Sequence, residues 1–188
     1  MTRMRTLQSI TLMASTVGTG LVAGLLFAYA CSVMPGLGRS SDRTLVEAMQ
    51  NINRAIINPW FLLPFVGSIP LIVLAAVLAW RGHGRSALPW ILAALALYLV
   101  AFLITRGINI PLNDRLDRAG DPAGIADLSA IRESFENRWV TWNIVRTVAH
   151  TAAFACLAWA LVLYAPSTDR SGDAAHQHVT PPTAAGAR

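Results

Sequence analysis

Four long apolar segments constrain this chain more than anything else in it: about residues 7–34, 60–80, 87–105 and 140–165. Each is near or above the roughly 20 residues an α-helix needs to cross a hydrocarbon core. Lipid offers a backbone no hydrogen bonds, so segments of this length without strand alternation must be helices. The expectation is an all-α integral membrane protein, a four-helix bundle occupying residues 1–165 and passing the cell membrane several times. From Pro166 onward the chain is polar, with SG and PP steps, so residues 166–188 read as a disordered tail. Only 13% of the residues are charged, against about 25% in an ordinary soluble domain. The solvent these segments expect is lipid.

The formal net charge of +5 comes from arginine, since the sequence holds no lysine. No basic run with interleaved aromatics is present, so the arginines read as membrane-flanking charges and no nucleic-acid partner is expected. Cys31 and Cys156 lie inside apolar segments and read as small buried hydrophobes. The basic start and FAYAC suggest a cleaved leader, but the apolar run is about twice the usual length of 7–15 residues, so a retained helix is expected. Within it Gly20 and Gly24 form a GxxxG step, whose ordinary meaning is close helix packing. A homo-oligomer is compatible with such a chain.

The links between spans are unequal. RGHGRS makes a tight turn between the second and third segments, while the other two links are long and fall together on the opposite side. The turn side carries Arg3, Arg5, Arg81 and Arg85 with no acid among them, which places both termini in the cytoplasm. Each long link carries an amphipathic pattern. In SSDRTLVEAMQNINRAIINP, Leu45, Met49, Ile52 and Ile56 recur at helical spacing, flanked by Asn51 and Asn53. Thr44 with Glu47 has capping-box spacing, with Ser41 and Asp42 as alternative caps, and Pro59 turns the chain at Asn58. In TRGINIPLNDRL, Arg106, Asn109 and Asn113 share a face if the helix continues, and Gly107 with Pro111 favours a kink. After AGDPAG, Asp127 caps the helix that leads into the fourth span.

That last helix opens unusually, with RWVTWNIVRTVAH at residues 138–150. Trp139, Asn143, Arg146 and His150 fall at i, i+4, i+7 and i+11, one stripe on an α-helix, with Trp142 beside it. A central arginine costs about 2.5–3.5 kcal/mol on insertion scales, so Arg146 and His150 should face protein or a wet cavity. Interfacial belts, snorkelling and caps are the ordinary uses of Trp, Arg and Asn. They do not ask for asparagines on three separate elements, nor for His150 one turn deeper than Arg146.

Four blocks taken together are more specific: MPGL at 34–37, EAMQNINRAIINPWF at 47–61, NIPLND at 109–114 and RWVTWNIVR at 138–146. In these the chain resembles the anthrone-oxygenase-like family of small membrane proteins, over about residues 7–165. The resemblance implies a four-helix membrane fold. It also implies oxidation of an anthrone to an anthraquinone by O2, with neither metal nor flavin.

Such chemistry needs a base, donors aimed at a developing oxyanion, and a flat apolar slot. His150 is the natural base, with Arg146 and Asn143 at the reacting centre. Arg106, Asn109, Asn113, Asn51 and Asn53 can bind substrate polar groups, and Trp139 and Trp142 can flank a planar ring. The ligand expected is a hydrophobic aromatic small molecule, and no cofactor or metal is expected. Haem would need a second facing histidine, but His83 lies at the opposite membrane face. His176 and His178 in the tail are too few to hold a metal. A di-iron bundle would need inward glutamates and an ExxH step that the spans lack. The alternative is a non-catalytic membrane module that binds a quinone or lipid, or supports a partner protein.

Overall fold

The computed structural model describes residues 2–82 and 84–164, and all its regular structure is helical. His83, His176, His178 and the expected disordered tail lie outside the described residues. The elements are α1 (Thr2–Ala28), a π-turn (Tyr29–Val33), α2 (Met34–Leu37), α3 (Asp42–Ala55), α4 (Pro59–Arg81) and α5 (Leu88–Ile104). A second π-turn (Thr105–Asn109), α6 (Ile110–Arg118) and α7 (Leu128–Tyr164) follow. Four of these stretches are long and apolar enough to cross a membrane: Arg3–Leu37, Pro59–Arg81, Leu88–Arg118 and Leu128–Tyr164.

The spanning helices form a closed ring, in which α1 packs on α4, α4 on α5, α5 on α7, and α7 back on α1. On the turn side the core is built from small residues and a few large ones. Ala75, Ala79, Ala94, Ala153 and Ala160 surround Leu12, Ile72, Ile91, Tyr98 and Leu157. Without a hydrophobic drive between helices in lipid, close backbone approach supplies the contact, and alanine permits it. The outer faces are apolar too: Ile10, Met13, Val17 and Leu21 form an exposed stripe down α1. Of the GxxxG pair, Gly20 abuts the Phe154 ring of α7, whereas Gly24 faces open space. Gly18 is the second close approach, against Ser68 of α4.

The link side is a second, separate core. At 37 residues and 1.5 Å per residue, α7 reaches about 55 Å, well beyond a hydrocarbon core of about 30 Å. Its first turns therefore rise out of the bilayer, and α3 lies against them and against α6. Leu45, Val46 and Met49 of α3 pack there with Leu112 and Leu116 of α6 and Phe135 and Trp139 of α7. Ser41 caps α3 by accepting from the Thr44 backbone N–H at 3.2 Å. Asn58 caps α4, and Asp127 accepts from the Ala130 N–H at the start of α7. Gln50 donates from the underside of α3 to the carbonyls of Leu116 and Gly120, fixing α3 to the second link.

Both π-turns end two residues before a proline. The N–H of Met34 reaches the carbonyl of Tyr29, and that of Ile110 reaches Thr105. Pro35 and Pro111 come next. Proline cannot donate and its ring crowds the preceding turn, so the ladder widens just ahead of it without breaking the helix. A widened turn exposes a different set of side chains to the helix's inner face.

Candidate functional site

Both π-turns open on one cavity of about 340 Å³ at the link-side end of the bundle. Its inner wall is Leu26 from α1, Tyr29 from the first π-turn, Phe61 and Phe65 from α4, and Thr105 and Asn109 from the second π-turn. Trp139 and Arg146 of α7 form the far wall, and Ile52 and Asn53 of α3, with Ile56 just past its end, form the roof. Arg54, Asp114 and Asp117 sit at its outer end, where Arg54 and Asp117 pair at 2.6 Å with both side chains about half exposed. The walls are mostly apolar and the polar groups few, as in ordinary small-molecule sites.

The stripe on α7 faces inward along its whole length: Trp139, Asn143, Arg146 and His150 are all buried. Arg146 is held by neutral partners. Its Nε and Nη2 donate to Asn143 Oδ1 at 3.2 and 3.0 Å, and Nη1 donates to Thr105 Oγ1 at 3.3 Å. Its guanidinium carbon lies 5.2 Å from the centre of the Trp139 ring, a cation–π distance. The ion pairs among the described residues are Arg54–Asp117, Arg132–Asp42 and Arg132–Glu136, so no carboxylate balances Arg146. Asn143 completes the arrangement by donating to the Leu26 carbonyl of α1 at 3.2 Å.

Trp139 is the second organiser. Its indole N–H donates to Asn113 Oδ1 at 2.8 Å, and its carbonyl accepts from Asn109 Nδ2 at 3.3 Å. Tyr29 and Phe135 pack against the ring, with centroids 5.7 and 6.1 Å away. Two polar atoms around the cavity have no partner: Asn53 Nδ2, a donor, and Asn109 Oδ1, an acceptor. Buried polar atoms normally find partners, and a ligand is one way to supply them.

The residues anticipated from sequence divide into two sets. Arg146, Trp139, Asn109, Asn113 and Asn53 line the cavity. Asn143 stands directly behind Arg146. His150 is fully buried but is not in the cavity wall. Its ring lies against Tyr98 (4.7 Å) and Phe65 (6.4 Å). His150 Nδ1 is 2.9 Å from the Arg146 carbonyl and Nε2 has no partner. A carbonyl only accepts, so Nδ1 carries the hydrogen, and in the neutral ring Nε2 keeps its lone pair.

Arg106 and Asn51 are exposed, and Trp142 is half-buried outside the cavity wall. The outward turn of Arg106 follows from the π-turn. With an extra residue in the turn, Thr105 stacks over Asn109 on the inner face, and Arg106 rotates away. Tyr29, Phe61, Phe65 and Thr105 were not anticipated. The readable signal was the proline six residues after Tyr29 and again six after Thr105. Among the described residues, no three His, Cys, Asp or Glu side chains gather as metal ligands.

Comparison with known proteins gives one family. A family model described as anthrone oxygenase matches residues 60–156, just over half of the chain, from the start of α4 into α7. NIPLND and RWVTWNIVR fall inside the match, while MPGL lies before it. No curated protein and no solved structure matches the chain.

Proposed function

The chain belongs to the anthrone oxygenase family, and from that membership we propose a membrane-embedded oxygenase that oxidises a planar, lipophilic phenolic substrate with O2, using neither metal nor flavin. The observation that carries this reading is Arg146, a buried guanidinium with only neutral partners at the wall of an aromatic-lined cavity. A cation kept in low dielectric without a counter-charge favours an anion brought within reach. A substrate with an acidic CH2 conjugated to a ketone becomes that anion on losing a proton. Charge then develops on the ketone oxygen, which Arg146 attracts. Asn53 Nδ2 and Asn109 Oδ1 are free to take a carbonyl and a phenol hydroxyl. The electron-rich carbon reacts with O2, and CH2 plus O2 become C=O plus H2O, a balance that needs no added reductant.

His150 is the proposed base, acting through Nε2. Phe65 touches both the cavity and His150, so in this reading its ring swings aside for proton transfer. The turn between α4 and α5 and the chain's start lie on the cytoplasmic side, on the strength of their acid-free arginines. The enclosure of His150 outside the cavity wall favours a second reading, a module that binds a quinone or phenol without turning it over.

Adding anthrones to membranes containing the protein separates the two. The enzyme reading expects O2 uptake and quinone absorbance that persist in chelator. Saturable binding without O2 uptake across a range of anthrones selects the binding module. Turnover that chelator abolishes removes the metal-free mechanism.

A further inference from the structure

A second cavity, of about 250 Å³, lies at the opposite end of the bundle where α1, α4 and α7 meet. Arg5 and Arg81 line it, with no carboxylate among the described lining residues. Met4, Leu78 and Tyr164 supply its apolar surface, and the Tyr164 hydroxyl donates to the Arg5 carbonyl at 3.3 Å. Neither arginine forms an ion pair among the described residues.

Gln8 points to what the cavity takes. It lines the cavity, is only 3% exposed, and donates through Nε2 to the Ala75 carbonyl at 3.2 Å. A carbonyl cannot face an amide oxygen, so the amide orientation is fixed and Oε1 is left as a buried acceptor without a partner. Among the described residues the cavity thus offers two cations and one unpartnered side-chain acceptor, at the end of the bundle where the apolar spans finish. The cations take a phosphate. The acceptor asks for a donor on the same ligand, and two guanidinium groups disfavour an ammonium there.

We propose that this cavity binds an anionic phospholipid of the turn-side leaflet, a phosphodiester whose distal group carries free hydroxyls, with the phosphate between Arg5 and Arg81 and a hydroxyl on Gln8 Oε1. Phosphatidylglycerol has this chemistry. A soluble glycerol phosphate shares the headgroup but lacks the acyl chains that would lie along the apolar faces of α1 and α4.

Purified, delipidated full-length protein in detergent tests the site by native mass spectrometry and by melting temperature. Phosphatidylglycerol should give a retained single adduct and a dose-dependent rise in melting temperature. Phosphatidylmethanol, equally charged but without hydroxyls, should give a smaller rise, and glycerol 3-phosphate none. R5Q/R81Q should lose both the adduct and the rise while melting like the parent without lipid. Q8M should bind the two lipids alike, a comparison made within one variant, so any loss of basal stability cancels. Retention of the phosphatidylglycerol adduct in R5Q/R81Q would overturn the site. An equal rise with glycerol 3-phosphate would make it a soluble-anion site, and a hydroxyl preference surviving in Q8M would remove Gln8 from it.

Discussion

Asn143 and Arg146 stand one turn apart on α7, and a single amide oxygen of Asn143 accepts from two nitrogens of the guanidinium, at 3.2 and 3.0 Å. The other half of that amide donates across to the Leu26 carbonyl of α1. One side chain therefore orients the cation and ties its helix to a neighbour without supplying any negative charge. Neutral support is what leaves Arg146 free to attract an anion.

Asn143→Asp tests that point with little change in shape. The new carboxylate would sit about 3 Å from the guanidinium and neutralise it. The variant also turns a carboxylate oxygen toward the Leu26 carbonyl in place of the donating N–H, so its melting temperature should fall while its helix content stays at the parent's. Turnover per folded protein should drop by ~100-fold or more, the scale of a missing oxyanion contact. Parent-like turnover would mean that charge on Arg146 does no catalytic work. Arg146→Lys should also impair turnover, because an ammonium cannot reproduce the planar fork.

The placement of His150 gives a sharper test of the base. His150→Ala should reduce turnover by ~100-fold or more, in the range of general-base removal, with helix content unchanged. Phe65→Leu, which shrinks the ring between His150 and the cavity, should keep or raise turnover. If both variants turn over at the parent rate, His150 is a packed core residue and the binding-module reading gains.

The bundle was legible because its physics is local. Apolar length marks the spans, the 3.6-residue stripe marks α3, and Asn58 and Asp127 mark helix starts. The inward face of Trp139, Asn143, Arg146 and His150 was likewise readable from spacing and the cost of burying charge. What escaped was register. A π-turn inserts one residue into a helix face, so a periodic reading through Arg106, Asn109 and Asn113 mistook which residue sits inside. The aromatic wall of Phe61 and Phe65 escaped for another reason. On a helix apolar all round, no moment tells lipid from cavity.

The glycine step on α1 is an instance where pattern and packing part. Gly20→Ile should lower the melting temperature, corresponding to about 1–3 kcal/mol of overpacking, because an added Cβ already comes within 2.9 Å of the Phe154 ring. Gly24→Ile, facing open space, should leave it unchanged. Equal losses at both positions would show that the step works as a motif and not through Gly20 alone.

Topology follows from an even number of spans. Single cysteines at Gly82 and Asp121 should react with impermeant reagent from opposite sides of the membrane, with Gly82 protected in intact cells if the turn side is cytoplasmic. The background cysteines Cys31 and Cys156 need prior replacement, since Cys31 is exposed. Labelling of both positions from one side would be incompatible with four crossings.

Arg132 decides whether the roof of the cavity stays in place. It reaches from the emergent part of α7 to four groups at once: Glu136 at 2.6 Å, Asp42 at 2.9 Å, and the carbonyls of Ser40 and Gly38 at 3.0 and 2.8 Å. Asp42 opens α3, and α3 carries Asn53 to the cavity, so Arg132 positions Asn53 from one helix away. Exposed ion pairs are worth little, but this side chain is only 18% exposed and its bonds are charge-assisted. Arg132→Gln should therefore speed amide hydrogen exchange across α3 while leaving the spans protected, because the two cores are separate. Turnover should weaken through KM more than kcat, since Asn53 contacts bound substrate in the proposed reaction and does no proton transfer. Arg54→Gln is the control: its pair with Asp117 also joins α3 to α6 but is half exposed, so exchange in α3 should hardly change. If Arg132→Gln leaves exchange in α3 at the parent rate, the apolar contacts of Leu45, Val46 and Met49 hold the roof unaided.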